Sequence, residues 1–426
     1  MGTMNDLIYQ IQNKLKNLLS NRFIRNLGWM SGAEFGNRII RLVATVFLAR
    51  LLTSYDYGLA AIVLTTYEFS YIFTKVGISQ KLVQADEESL EELCVAAYWL
   101  NWLVFFGIFC IQCLAAFPIA WFYRDPQLIL PICITALPYL ILPISSIQGT
   151  LIYRENRLKI IALNQAIGVS SSNILSLIFA FLGMGLWAII LPRVLVAPIW
   201  VYICYVNHPW RIKQGFTRKR WGEIFNFGKN ILGVELLKTL VNNLDYLIVG
   251  RFLGIRELGF YYFAFNAGLG ISLSLIKAFY STLLPHLCSL QENLSQLKQQ
   301  YFKSLKVIAA IIIPLVLLQS FLAPLYVPIV FGEKWIDAIP VLMLICLSAI
   351  PRPFGDAASQ LLIAIGKPDL NLRWSVIFTS VFIASLFIGI QWQAIGVAFA
   401  VLIVHFTLFP LFAIWATRYA FKTKFV

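Results

Sequence analysis

Charged residues are scarce in this chain. Only 13% of its 426 residues are Asp, Glu, Lys or Arg, against about 25% in a soluble domain. Hydrophobic residues make up 59% of the chain, and the mean hydropathy is +0.77. These values exclude an ordinary soluble domain. They predict an all-α polytopic membrane protein, because a helix satisfies its backbone hydrogen bonds internally in lipid.

Histidine is also scarce, and the cysteines form no metal-binding pattern. The three histidines, His208, His286 and His405, are widely separated in the sequence. The seven cysteines fall in or beside apolar stretches, and the single Cys-x-x-Cys pair, Cys110 and Cys113, has no second pair to match it. We therefore expect packed small residues, with no metal site, no catalytic cluster and no cofactor.

The first 28 residues lack the continuous apolar core and the cleavage site of a signal peptide. Leucine and isoleucine recur there at helical spacing, among lysines and arginines. This pattern predicts an amphipathic helix at 1–28 that lies on the cytoplasmic membrane surface. A soluble lead-in segment is the alternative.

Long apolar stretches are abundant, and roughly 20 such residues cross a bilayer as a helix. Twelve stretches of this kind predict twelve transmembrane helices: 29–51, 58–75, 93–117, 127–148, 160–182, 186–206, 226–250, 258–282, 304–331, 338–364, 373–391 and 394–417. Several contain proline, which membrane helices tolerate when neighbours satisfy the freed backbone groups.

Lysine and arginine are distributed unequally between the alternate loops. With the N-terminus placed inside, 22 of them fall in inside segments and five in outside loops. Positive charge marks the cytoplasmic side, so both termini are predicted to be cytoplasmic. The net charge of +14 therefore reports topology rather than a nucleic-acid partner.

A short motif occurs twice and divides the chain into halves. Residues 49–59 read ARLLTSYDYGL and residues 250–260 read GRFLGIRELGF, so R-x-L-x-x-x-[D/E]-x-G recurs 201 positions later. Six predicted spans separate the copies, which indicates a parallel repeat of two six-helix lobes. The predicted domains are a lobe at 29–206, a basic linker at 207–225, a lobe at 226–417 and a tail at 418–426. We expect Asp56 or Glu257 to cap a helix and the motif glycines to allow close packing.

Charged residues inside the predicted spans are the candidate functional residues, because such groups face a bundle interior or a wet cavity. Basic residues outnumber acids among them by seven to five, which suggests an anionic substrate. Substrate binding is predicted for Arg38, Arg41, Lys238, Lys277 and Arg352, and ion coupling for Glu34, Glu235 and Asp245. Buried ion pairs that only fix helix packing, such as Glu34 with Arg38, are the alternative.

Seven stretches resemble the polysaccharide transporter family of the MOP exporter superfamily, the Wzx-type flippases. They are KLVQADEESLEELCVAAYWLNW (81–102), LIYRENRLKIIALNQ (151–165), FLGMGLWAIIL (181–191), NNLDYLIVGRFLGIRELGFYYFAF (242–265), STLLPHLCSLQENLSQLKQQYFKSL (281–305), APLYVPIVFGEKWIDAIPVLMLICL (323–347) and LLIAIGKPDLNLR (361–373).

The resemblance implies two six-helix lobes around a central cavity that opens to each side of the membrane in turn. It implies a substrate of undecaprenyl-pyrophosphate-linked oligosaccharide, carried across the bacterial inner membrane, with membrane lipids, a polysaccharide polymerase and chain-length proteins as partners. A multidrug exporter of the same superfamily is one alternative, although organic cations favour an acidic cavity. A membrane glycan polymerase or ligase is another, although such enzymes need larger outer loops.

Overall fold

The computed structural model of the protein describes residues 36–37, 40–74, 77–213, 215–288, 290 and 293–422. Regular structure in this part of the chain is helical, and it contains no strand. The predicted all-α class is therefore confirmed. The predicted surface helix at 1–28 lies outside the described residues, as do Glu34 and Arg38.

The apolar stretches of the first half form long helices interrupted by short turns. The helices are α1 (residues 40–51), α2 (Ser54–Ile72), α3 (Ile78–Gln84), α4 (Glu87–Tyr123), α5 (Ile129–Ala136), α6 (Pro143–Arg154), α7 (Leu158–Phe181) and α8 (Trp187–Asn207). Turns of 3₁₀-helix flank α5 at Pro126–Leu128 and Leu137–Leu140.

The second half likewise consists of helices joined by short turns. It contains α9 (Trp221–Phe252), α10 (Ile255–Cys288), α11 (Leu294–Phe321), α12 (Ala323–Tyr326), α13 (Ile339–Ser348), α14 (Arg352–Ala364), α15 (Pro368–Gly389) and α16 (Gln393–Lys422). A π-helical turn, Val327–Phe331, and a 3₁₀-helix, Glu333–Ala338, connect α12 to α13.

Where the structure describes them, the twelve predicted spans coincide with a helix or with helices separated by a short break. Within the described residues, six helical stretches are long and apolar enough to cross a membrane, or seven if a bent pair counts as one span. Helix α9 is outside this group, and its length includes Glu235, Lys238 and Asp245. The charges that mark it as a candidate functional helix also lower its hydropathy.

Proline sets the positions of two breaks inside predicted spans. The chain bends by 60° between Pro126–Leu140 and Pro143–Arg154. Pro143 opens α6, where the missing N–H would have had no helical partner. A second break precedes α14, which begins at Arg352 immediately after Pro351. This break places Arg352 at a helix start in the middle of a predicted span.

The described chain divides into two compact units. Unit 1 comprises the chain up to Leu51 together with Val63–Thr239, and unit 2 comprises Leu52–Ile62 and Leu240–Val426. Each has its own apolar core: in unit 1 this includes Leu82, Leu93, Ala97, Ile147 and Ile224, and in unit 2 Leu283, Leu297, Tyr301, Leu361 and Ala420. The first residues of α2 thus belong to unit 2, although they lie early in the sequence.

The two motif glycines make a reciprocal contact within unit 2. Helices α2 and α10 begin at Ser54 and Ile255, which are 201 positions apart. A Cβ atom on Gly58 would overlap the carbonyl oxygen of Ile255, and one on Gly259 would overlap the carbonyl oxygen of Ser54. Each glycine thus meets the first residue of the other helix, as in an isologous interface. The motif therefore has the structural role predicted for it.

Asp56 caps the start of α2, as expected from its position in the motif. Its Oδ2 atom accepts hydrogen bonds from the backbone N–H of Thr53 at 2.9 Å and from the Thr53 hydroxyl at 2.6 Å. The Thr53 hydroxyl oxygen in turn accepts from the backbone N–H of Asp56 at 3.1 Å. These bonds satisfy donors that the first turn of a helix leaves without partners.

The loop before α13 packs against the same end of α2. The buried ring of Trp335 stacks on Phe263 at a centroid distance of 3.9 Å and meets Tyr57 edge-on at 5.1 Å. The Lys334 ammonium donates to the carbonyl oxygen of Leu52 at 2.5 Å. Burial lowers the pKa of Lys334. This loop therefore packs on the start of α2 within unit 2.

Candidate functional site

Arg41 is the described member of the charged group predicted on the first span. Its side chain is exposed on α1, while its backbone carbonyl accepts from the Thr45 hydroxyl at 2.8 Å. An exposed guanidinium inside a membrane span is stable only where it meets water or an anion. The Arg41 side chain therefore does not lie in the packed core of the described residues.

Glu235, predicted to couple an ion, and Lys238, predicted to bind substrate, form an ion pair with each other on α9. The Lys238 ammonium lies 3.5 Å from Glu235 Oε1, and the two side chains are 64% and 29% exposed. An exposed pair of this kind adds little stability. The Lys238 ammonium is thus accessible to a ligand while it holds the carboxylate.

Asp245 is buried in unit 2, in a group that interacts by hydrogen bonds and by charge. Its Oδ2 atom accepts from the Tyr261 hydroxyl at 2.8 Å, and its Oδ1 atom accepts from the backbone N–H of Tyr246 at 3.0 Å. Arg352 interacts with Asp245 electrostatically. The structure therefore brings together one predicted coupling residue and one predicted substrate-binding residue.

Arg352 joins a second carboxylate to the same group. Asp356, one turn along α14, interacts electrostatically with Arg352 and shares a hydrogen bond with Tyr280. The Tyr280 hydroxyl also lies 3.4 Å from the Arg352 carbonyl oxygen, to which it donates. The Nε atom of Arg352 is buried and has no hydrogen-bond partner among the described residues. An arginine N–H in this state is available to one more acceptor.

His405 lies beside this group, although histidine gave no signal in the sequence. Its Nδ1 atom is 3.1 Å from the Ser348 carbonyl oxygen, and its ring packs among Phe378, Phe382 and Phe409. Arg352 interacts with it electrostatically. The group thus contains an imidazole as well as two carboxylates and a guanidinium.

Several members of this group were missed by reasoning from the sequence. Asp356 was counted among the five acids inside the spans but was assigned no role, His405 was noted only as one of three separated histidines, and Tyr261 and Tyr280 were not singled out. The i, i+4 spacing of Arg352 and Asp356 was a signal that could have been used.

Lys277, the remaining predicted substrate-binding residue, lies within α10.

Further ion pairs lie in unit 1, in segments predicted to be cytoplasmic. Lys81 contacts Glu223 at 2.6 Å, and this hydrogen bond holds the pKa of Glu223 below its ordinary value. Glu155 accepts from Arg157 and contacts His208 Nε2, both at 3.1 Å. Burial would raise the pKa of Glu155, but these two hydrogen bonds outweigh burial and lower it. The basic linker is thereby tied to the helices of unit 1.

Comparison with families of known proteins gives one match that covers most of the chain. A family described as "Polysaccharide biosynthesis protein" matches residues 47–340. Among curated relatives, an uncharacterized membrane protein in the cps region of Klebsiella pneumoniae is 25% identical over 396 residues, or 90% of this chain and 80% of that protein. The lipopolysaccharide biosynthesis protein WzxC of Escherichia coli (strain K12) is 27% identical over 371 residues, or 85% of this chain and 74% of that protein.

Solved structures of transporters share the fold. The lipid II flippase MurJ in an inward closed conformation matches with a TM-score of 0.75 and 15% identity, over 92% of this chain and 89% of MurJ. An inward-facing multidrug resistance MATE family transporter of the MOP superfamily matches with a TM-score of 0.71 and 16% identity, over 91% of this chain and 96% of that transporter. These likenesses establish the fold alone, two lobes of helices.

Proposed function

The chain belongs to the family of polysaccharide biosynthesis proteins, and from this premise we propose that it is a flippase for lipid-linked oligosaccharides. Its substrate is an undecaprenyl-pyrophosphate-linked repeat unit of a surface polysaccharide. The protein carries this molecule from the cytoplasmic to the outer leaflet of the bacterial inner membrane by alternating access. This is transport, and no bond of the substrate is made or broken.

The observation that carries the proposal is the exposure of cations within membrane-spanning helices. Arg41 and Lys238 are both exposed, and both lie inside predicted spans. A cation facing lipid there would cost several kcal/mol, so these side chains face a hydrated path. A path lined by cations suits a pyrophosphate, whose oxygens accept bidentate hydrogen bonds from arginine and attract the point charge of lysine.

We assign the pyrophosphate to the full predicted set. Its members come from both halves of the chain, as alternating access requires: Arg38, Arg41, Lys238, Lys277 and Arg352. Release must follow binding, so each contact is moderate in strength and the set rearranges during the cycle. The buried Nε atom of Arg352, which has no hydrogen-bond partner among the described residues, supports its place in this set.

We assign ion coupling to Glu34, Glu235 and Asp245. The burial of Asp245 among Tyr261 and Arg352 supports its role, because a carboxylate in such surroundings exchanges a proton or a cation as its neighbours move. Both termini are cytoplasmic in this proposal, and a polymerase and chain-length proteins receive the flipped product.

The test uses purified protein in liposomes that contain a fluorescent undecaprenyl-pyrophosphate-linked oligosaccharide. Wild-type protein should make the inner-leaflet probe accessible to a quencher outside the vesicles. Arg41→Ala and Lys238→Ala should each lose most of this activity, whereas Arg41→Lys should keep part of it.

Lys303→Ala is the matched control, because Lys303 is an exposed lysine of α11 in a segment predicted to lie outside the spans. Wild-type liposomes that leave the probe in its original leaflet would refute the flippase assignment. Full activity in the Arg41→Ala/Lys238→Ala double variant would refute only the roles of these two residues, and the flippase assignment would stand.

A further inference from the structure

An apolar groove of about 290 Å³ lies between α11, α14 and α16 of unit 2. Its walls include Phe302, Leu305 and Ala309 of α11, Phe354 of α14, and Ala413 and Ile414 of α16. Two of the residues that line it, Tyr301 and Leu305, also pack with Leu361 and Ala420 in the core of unit 2. The groove is therefore built into the packed fold.

The open side of the groove faces the hydrocarbon of the bilayer. Phe302 and Ile414, which stand in two different walls, are 40% and 50% exposed. Both α11 and α16 belong to stretches that are long and apolar enough to cross a membrane. Apolar walls offer water few hydrogen-bond partners, so a hydrocarbon chain fills this groove better than water does.

The length of the groove matches one leaflet of a bilayer. From Tyr301 to Ala309 it extends roughly 12 Å along α11, because a helix rises about 1.5 Å per residue. It begins near the predicted cytoplasmic end of the span 304–331, and the apolar part of one leaflet is about 15 Å thick. An acyl chain of a phospholipid fits this length, whereas a polyprenyl chain would extend far beyond the groove.

Positive charge lies at the cytoplasmic end of the groove. Lys306 lines the groove and is exposed, and in the part of the chain that the structure describes it forms no ion pair with an acid. Exposed Lys298 precedes Phe302 and Leu305 by four and seven positions, so it lies on the same face of α11. An apolar groove that ends in cations complements a lipid with a negatively charged headgroup.

We infer that this groove binds an anionic glycerophospholipid of the cytoplasmic leaflet. One acyl chain lies along the apolar walls, and the phosphate contacts the Lys306 ammonium, which can extend toward the interface. Lys298 adds positive charge on the same face, and basic residues beside a membrane attract anionic lipids. The ligand belongs to the bilayer and is not the transported molecule, so the inference goes beyond the proposed function.

The test compares two lipids that have identical acyl chains, phosphatidylglycerol and phosphatidylcholine. They differ in net charge, so the contribution of Lys306 can be separated from that of the groove walls. Undecaprenyl pyrophosphate is the third probe, because it is also an anionic lipid. Native mass spectrometry of the full chain in detergent measures the affinity of the first molecule of each lipid to bind.

Wild-type protein should bind phosphatidylglycerol more tightly than phosphatidylcholine. Lys306→Ala should weaken binding of phosphatidylglycerol about fivefold and leave binding of phosphatidylcholine unchanged, whereas Lys306→Arg should keep the preference. Ala413→Leu places a larger side chain in the groove wall and should weaken binding of both lipids. Lys303→Ala is the matched control, because Lys303 is an exposed lysine of the same helix that does not line the groove.

Three results would overturn the inference. The first is a wild-type protein without a preference for phosphatidylglycerol, or a Lys306→Ala variant that keeps the whole preference. The second is an Ala413→Leu variant that binds both lipids like the wild type, which would place the acyl chain elsewhere. The third is a dependence on Lys306 for undecaprenyl pyrophosphate but not for phosphatidylglycerol, which would assign the groove to the transported lipid. The flippase assignment stands in every case, because its test measures transport.

Discussion

Replacing Gly58 by alanine tests the reciprocal contact between α2 and α10. The added methyl group would overlap the carbonyl oxygen of Ile255 and lie 2.8 Å from its carbonyl carbon. Both atoms belong to the backbone, so no side-chain rotation can relieve the overlap and the two helices must separate. Overpacking of this kind costs roughly 1–3 kcal/mol. We expect Gly58→Ala, and Gly259→Ala by the same reasoning, to lower the free energy of unfolding by that amount.

Gly270 provides a matched control on the same helix as Gly259. A Cβ atom built on Gly270 meets nothing within 4 Å. Gly270→Ala therefore gains only the higher helix propensity of alanine, up to about 1 kcal/mol. The two kinds of substitution thus differ in sign as well as in size.

Thermal unfolding of the purified variants in one detergent measures both effects. Because Gly58 and Gly259 act on the same helix contact, the loss in the double variant should be smaller than the sum of the single losses. The reasoning is refuted if Gly58→Ala unfolds at or above the wild-type temperature, or if the two losses add in full.

Three further predictions concern pH, a buried hydrogen bond and topology. The salt bridge with Lys81 lowers the pKa of Glu223 below its ordinary value of 4.5. The salt bridge should therefore stabilise the fold fully above about pH 4.5 and lose this effect as the pH falls further. Glu223→Gln should make the free energy of unfolding less dependent on pH. Tyr261→Phe removes the hydroxyl that donates to Asp245 Oδ2 and should cost about 1–3 kcal/mol in thermal unfolding. Reporter fusions at Trp210 and at the C-terminus should be cytoplasmic, and one near Arg256 external.

Each of these predictions has a control or a contradicting result. Lys81→Gln should reproduce the pH profile of the Glu223 variant, and a steep acid dependence in both variants would contradict the salt-bridge argument. Tyr202→Phe removes the hydroxyl of a tyrosine that is 68% exposed and should unfold like the wild type. If it loses as much stability as Tyr261→Phe, the hydrogen bond to Asp245 is not the cause. An external C-terminus would overturn the charge-based topology.

The helices and the caps could be predicted because their causes are local in the sequence. Long apolar stretches predict helices wherever backbone groups must be satisfied in lipid, and the described parts of the predicted spans are helical. The cap at Asp56 depends on Thr53, only three residues away. The pair of Glu235 and Lys238 likewise follows from helical spacing.

The surroundings of the candidate site depend on contacts between segments far apart in the chain, which periodicity does not report. Tyr67 and Tyr139 are 72 positions apart, and their stacking requires two different spans to pack together. Asp245 meets Tyr261 only because the turn after α9 brings α10 back beside it. Sequence spacing identified which charges lie within spans, but it could not identify their neutral partners.

The dependence of the start of α2 on the second half of the chain has a consequence for biosynthesis. Residues 52–62 emerge from the ribosome early, yet Gly58 meets Ile255 and Tyr57 meets Trp335. Lys334, which holds the carbonyl of Leu52, is synthesised 282 residues later. Since translation proceeds at roughly 5–20 residues per second, this helix end must wait more than ten seconds for its partners. During that interval lipid, the insertion machinery or a chaperone must cover the Tyr57 side chain and the backbone that Gly58 leaves exposed.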